Sequence, residues 1–216
     1  MQSLTAIPKN YGAIDYNDLV RDFVSSMGFP FVGTKTALTK DQIQICVADS
    51  IFSTQADNVI LKGLYDFIAD YKRDKATFRS FVVVFNDMHT MSEEDFEAAL
   101  WTRLQSLHDK DIYPWDTAVS EDPEDHKFSF SAGNKSFYIV GMHPGTSSSQ
   151  RRFPLPALVF NLHEQCEELR APGQNQSMKH LIRHRDKTIF DLAADKYPAN
   201  GNVRSTTKEA IYEAND

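Results

Sequence analysis

Cysteine is scarce in this chain, with two in 216 residues, Cys46 and Cys166. Both sit inside apolar or amphipathic runs, which suits small core hydrophobes and argues against a disulfide framework or a cysteine-built metal cluster. A reducing compartment is the expectation. Long apolar runs are missing as well. No stretch approaches the roughly 20 apolar residues that cross a bilayer, and the opening MQSLTAIPKNYG has no charged segment followed by an apolar one. The reading is a soluble cytoplasmic protein with no membrane partner. Positive charge is in deficit, since 23 Lys and Arg against 30 Asp and Glu give a formal charge of -7 and a sequence pI near 5.5. A field of that sign repels phosphate backbones, so nucleic acid is not an expected partner, although a local basic pocket stays open. Several motifs are absent too. Without G-x-G-x-x-G or a P-loop there is no nucleotide-binding signature, and without H-E-x-x-H or Cys-x-x-Cys there is no familiar zinc pattern. No Ser-His-Asp or Cys-His signature and no internal repeat stands out.

What is present reads as one domain with a mixed sheet packed by helices, an α/β sandwich in the broad α+β sense, over residues 1–197, followed by a polar extension over 198–216. Apolar residues at Tyr16, Leu19, Val20, Phe23, Val24 and Met27 mark one helix, stopped by Gly28 and Pro30. Ile43 to Val47 alternates as a strand. Thr54 is the expected cap of a helix with a stripe through Ile60, Leu64, Phe67 and Tyr71, and Phe78 to Phe85 is the strongest strand. Ser92, followed by Glu94 and Asp95, opens a helix with Phe96, Leu100, Leu104 and Leu107 on one face. Phe128 to Ser131 and Ser136 to Val140 flank Ala-Gly-Asn as a hairpin. Tyr113 to Lys127 reads as an irregular surface excursion. Helices are expected from about His163 to Arg170 and from Ser177 to Leu192.

The stretch FYIVGMHPGTSSSQRR, Phe137 to Arg152, runs into FPLPALVFNLH, which ends at His163. Two strand-like runs each deliver a histidine at their exit, with a Ser-rich loop and paired arginines between. His143 should end one strand; Ala157 to Phe160 should be the other, buried on both faces, before Asn161 and His163 open a helix. Loop positions beyond a sheet are where α/β proteins place ligands. Each residue also has a plainer account. His108 beside the stripe of WTRLQSLHDKD suits a packed helix-end histidine bonded to Asp109 or Asp111. Arg151 and Arg152, with Ser147 to Ser149, could hold an anion or could be solvated loop residues. Arg183 to Asp186 suits a solvated helix face. Neutral imidazole serves zinc, iron and copper alike, so these residues leave the metal open.

VGMHPG with S-x-x-x-R-R-F-P, LVFN-x-H, M-K-x-x-I-R-x-R-D, FPFVGTKTAL, LYDFIADY and W-x-x-L-Q-x-L-H-x-x-D together resemble the YqcI/YcgG family over most of the chain. Members like the guanitoxin-pathway type are haem-dependent oxygenases that N-hydroxylate guanidino groups of arginine-like substrates. The resemblance therefore implies haem b and its iron, a small-molecule substrate, dioxygen and an electron donor; a homodimer is compatible with it. It implies His143, then His163, then His108 as axial or distal residues. Arg151, Arg152 and Ser147 become partners of the cofactor's propionates, and Asp111, Asp186 and Trp115 substrate contacts. Two alternatives accompany this reading. One is a non-catalytic haem carrier or sensor, able to ligate both iron faces with His143 and His163 together. The other is a haem-free protein whose loop arginines bind an anionic partner. The chain departs from the family pattern at Phe31, Leu162 and Cys166 and in its tail.

Overall fold

In the computed structural model the described residues are 14–26, 32–75, 77–88 and 90–170. They form five α-helices and one five-stranded sheet. The sheet comprises β1 (Ile43–Ala48), β2 (Ser80–Phe85), β3 (Phe130–Ala132), β4 (Lys135–Met142) and β5 (Ala157–Leu162), in the order β1-β2-β5-β4-β3. Only β1 and β2 are parallel; β5 runs antiparallel to both β2 and β4, and β3 to β4. The mixed sheet and single α+β body expected from the sequence are what the chain forms.

Strand parity sorts the side chains into two cores. Phe81, Val83, Phe137, Ile139, Leu158 and Phe160 face α3 (Asp57–Arg73) and α4 (Glu93–Lys110). Val82, Val84, Val140, Met142, Ala157 and Val159 face α1 (Tyr16–Ser25), whose Val20 and Val24 are buried there. β2 and β5 are buried along their whole length, which is why they read as continuous apolar runs, whereas the edge strand β1 is mostly half-buried.

Helix starts follow local chemistry. Asp15 caps α1 by accepting from the amides of Asn17 and Asp18, and Ser92 caps α4 by accepting from Asp95 N. Ser53, rather than the expected Thr54, caps the short 3-10 turn Thr54–Ala56 that precedes α3. α2 (Val32–Thr39) was not expected, because GTKTAL carries no amphipathic stripe. β5 extends two residues further than predicted and takes in Asn161. α5 (His163–Arg170) then starts at His163, where a helix start was expected. The hairpin turns on Gly133 and Asn134, both with positive φ (62° and 58°), the left-handed pair that tight hairpins favour. Cys46 and Cys166 form no disulfide, and both are half-buried. The expected helix Ser177 to Leu192, Phe31, Asp186 and the extension 198–216 lie outside the described residues. Among those described, no helix is long and apolar enough to cross a membrane.

Candidate functional site

The antiparallel pairing of β4 and β5 decides where the histidines lie. Phe137 is level with Leu162 and Met142 with Ala157, so His163 leaves β5 at the end where β4 begins and His143 leaves β4 at the other end. Seven residue steps at about 3.3 Å each separate them by roughly 20 Å. They cannot ligate the two faces of one haem, which corrects the carrier arrangement that used both. His108 belongs to neither end: it is exposed near the last turn of α4, edge-on to Trp115 at 5.2 Å between ring centroids.

At the His143 end the residues pack into a closed loop. His143 is 3% exposed and its ring lies flat on Phe96, with centroids 4.3 Å apart and planes 12° from parallel. Its amide donates to Arg151 O at 3.3 Å. The Ser-rich segment is tied to α4. Glu93 Oε1 accepts from Thr146 Oγ1 at 3.1 Å, Ser147 N at 3.1 Å and Ser147 Oγ at 3.0 Å. A protein carboxylate thus sits on the donors expected to receive an external anion. Arg152 turns its guanidinium onto the carbonyls of Thr146 (3.2 and 3.1 Å) and Ser147 (3.5 Å), so it braces the loop from inside. Arg151 is half-buried in the short turn Ser149–Arg151.

The candidate substrate residues have structural tasks. Asp111 accepts from Tyr65 Oη at 2.7 Å, Gly133 N at 2.7 Å and Tyr113 N at 3.0 Å, pinning the hairpin turn to α3 and the loop after α4. Burial, and then the bond to Asp111, pushes the Tyr65 phenol up to about 12. Trp115 donates to Ser120 O at 3.2 Å and packs among Phe128, Phe130 and His108.

The His163 end is built differently. Thr34 of α2, Ser80 of β2 and Asn161 of β5 form a buried polar triad, with exposures of 0%, 0% and 8%. Asn161 Oδ1 accepts from Thr34 Oγ1 at 3.0 Å and from Ser80 Oγ at 2.8 Å. On the other flank of Asn161, Tyr138 is its register partner, and the half-buried His163 ring packs against Tyr138 with 4.6 Å between centroids. Tyr138 Oη donates to Glu167 Oε1 at 2.9 Å, which fixes the ring under the imidazole. α5 is clamped by Gln165, which accepts from Arg79 N at 3.2 Å and donates to Thr77 O at 2.9 Å. Glu164 accepts from Lys135 at 2.8 Å. Burial alone would raise the Glu164 carboxyl, but the bonds from Lys135 and Tyr71 outweigh it and hold it below the usual range.

An axial imidazole must open onto a slot for a flat macrocycle. The His143 end, almost sealed and with its loop donors engaged by Glu93, does not fit one; the His163 end, half-exposed beside the Tyr138 ring, fits in kind. Two cavities, of about 10 Å³ between α4 and the β3–β4 hairpin and about 400 Å³ beside α1 and β1, are lined by none of the three histidines. Among the described residues no three His, Cys, Asp or Glu side chains group to hold a bare metal ion. Sequence reasoning passed over Thr34 and Ser80, which carry no motif of their own, and over the buried pair Asp57 and Arg103.

A family model described as YqcI/YcgG family matches residues 20–206. Neither a curated protein nor a solved structure matches the chain.

Proposed function

The chain belongs to the YqcI/YcgG family, and on that premise we propose that it is a haem-dependent oxygenase that N-hydroxylates a guanidino or other nitrogen group of a small amino-acid-like substrate, with His163 as the residue that would hold the haem iron. One observation carries the choice of site. Thr34, from the FPFVGTKTAL stretch, and Asn161 and His163, from LVFN-x-H, lie 127 positions apart in sequence for the bonded pair yet meet at one end of the sheet. Motifs that carry the family likeness therefore meet at the end of the sheet where the half-exposed His163 leaves β5.

Haem, when bound, supplies an iron centre at which dioxygen is activated. Across the reaction one oxygen atom enters an N–H bond to give N–OH. The other leaves as water with two electrons and two protons from an external donor. The chain's own residues orient and bind. Tyr138, held by Glu167, fixes the plane of the His163 ring, and the start of α5 on the rigid end of β5 fixes its position, the kind of outer support that metal-bound histidines need. His143 falls behind because it is buried at the opposite end, and His108 because it is exposed beside Trp115. The anion-binding reading is disfavoured by Glu93, which already occupies the loop donors.

The test is the visible spectrum of protein expressed with haem supply. A Soret band in the wild type, kept in His143→Ala and His108→Ala and lost or shifted in His163→Ala, is the expected outcome. No Soret band in the wild type after haem titration sinks the proposal, and loss confined to His143→Ala moves the axial role to the other end of the sheet.

A further inference from the structure

β4 outruns its neighbour β3, and a cavity lies where their ladder stops. The bond from Phe85 N to Pro156 O, at 2.9 Å, sets the phase of the β2–β5 pairing. Hydrogen-bonded pairs recur at every second residue of an antiparallel ladder, so Phe81 and Phe160 form one, and Phe160 turns its main-chain groups toward β2. Ile139, level with Phe160 on the other side, therefore turns its N–H and C=O away from β5 and toward the side of β3. β3 has ended by that point. Its Phe130 is paired with Phe137; two residues on, Phe128 lies outside the strand and gives its N–H to Asp125 O at 2.8 Å. Ile139 is 4% exposed, so bulk water does not take the place of the missing strand.

A second polar group is in the same condition. Trp101 Nε1, from α4, is buried with no hydrogen-bond partner among the described residues. Trp101 and Ile139 are walls of one cavity of about 10 Å³, with Leu104, Phe128 and Ser129 among the others. That is about the room a single water requires. We propose that this cavity is a binding site for one resident water molecule, which accepts from Trp101 Nε1 and Ile139 N and donates to Ile139 O. Three bonds are the usual complement of a buried water, and two donors with one acceptor match its lone pairs and hydrogens. An apolar hole of this size stays dry; the orphaned indole and the open ladder make this one polar. The water stands where β3 has no residue to offer, and it joins α4 to the sheet. The site is independent of His163 and of any cofactor.

The experiment reads both N–H protons against water in the full chain, by 15N-edited NOESY and ROESY. The chain has two tryptophans, so Trp101→Phe, which keeps an aromatic ring and removes the N–H, assigns the indole resonances by loss. Trp115, whose Nε1 donates to Ser120 O at 3.2 Å, is the protein-bonded reference. Trp101 Hε1 and the Ile139 amide should each show a cross-peak at the water frequency, with opposite signs in the two spectra, the mark of a bound water. Trp115 Hε1 should show none. Ser129 Oγ on the cavity wall donates to Phe137 O at 3.0 Å, and its exchanging proton also appears at the water frequency, so Ser129→Ala should leave both peaks in place. Absence of the peak from either N–H, peaks of equal sign, or their loss in Ser129→Ala overturns the proposal. A crystal structure gives the same answer without a variant: density for one water within about 3 Å of Trp101 Nε1 and Ile139 O supports the site, and its absence overturns it.

Discussion

Asp57→Ala should be among the most damaging changes away from the proposed site. Asp57 is 0% exposed, and its carboxylate receives the Arg103 guanidinium, Lys110 Nζ at 2.8 Å and Ser106 Oγ at 2.6 Å. Arg103, 2% exposed, also donates to Ile51 O from Nε and Nη2 (3.2 and 2.7 Å) and to Ser53 O at 2.5 Å. The pair therefore ties the loop after β1 and the first turn of α3 to the middle of α4. Removing one partner of such a buried pair costs about 3–5 kcal/mol, because the other charge stays buried without it. Against a typical total of about 5–15 kcal/mol, and at roughly 2–4 °C per kcal/mol for a domain of this size, the melting temperature should fall by roughly 6–20 °C. Arg103→Met should cost a similar amount. Asp57→Leu combined with Arg103→Met removes both charges and should cost far less than the two single changes added, since Lys110 stays solvated at 39% side-chain exposure. Acidity gives a second readout. Burial alone would raise the Asp57 carboxyl, but the bonds from Lys110, Ser106 and Arg103 outweigh it and hold it below the usual range. A carboxyl depressed in the folded state contributes stability in full above its unfolded value near pH 4 and loses it as pH falls through the folded value. Urea unfolding followed by far-UV circular dichroism from about pH 7 down to about pH 3 checks both. The wild type should weaken more steeply than the double variant on the acid side. Single changes costing under about 1 kcal/mol, or a double variant as unstable as the sum of the singles, would refute the reasoning.

Two further outcomes follow from packing and hydrogen bonding. In Gly141→Ala the new Cβ would lie 2.7 Å from Phe96 Cε1 and 2.8 Å from Leu100 Cδ1. That forces the start of α4 off the sheet at a cost of about 1–3 kcal/mol, measurable as a lower urea midpoint with an unchanged slope. Asp111→Ala strands the Tyr65 hydroxyl and Gly133 N, which it receives at 2.7 Å each. It should cost about 1–3 kcal/mol. Because burial is the larger cause of the Tyr65 shift and Asp111 the next, tyrosinate absorbance should show that phenol moving only part of the way from about 12 toward the ordinary value near 10. With the phenol raised in the folded state, the stability it contributes is full below about pH 10 and lost as pH climbs toward 12. A Tyr65 titration unchanged in the variant would mean that burial alone sets it.

Periodicity made much of the scaffold legible, and its failures have physical causes. The stripes of α1, α3 and α4, the Ser92 cap and the Gly-Asn hairpin all follow from local spacing, which local forces obey. α2 has no stripe to read and takes its place through contacts with the sheet, Thr34 reaching Asn161 among them. Arg103 was missed although Phe96, Leu100, Arg103 and Leu107 share one helical face; a charge on that face is tolerated only because Asp57, 46 positions away, meets it. The separation of the two histidines has a different origin. The exits of two strands converge on one crevice when the strands are parallel, as in doubly wound sheets. β4 and β5 are antiparallel, so their exits are the two most distant points of the pair, and a motif that runs from one exit to the other describes two sites. Strand direction is set by the β2–β5 pairing and by the loop that carries Arg151 and Arg152, neither of which has a periodic signature. A sequence can thus announce that His143 and His163 both end strands while leaving open that they face opposite ends of the molecule. Of the two, His163 is the half-exposed one, its ring against Tyr138, while His143 is 3% exposed under Phe96.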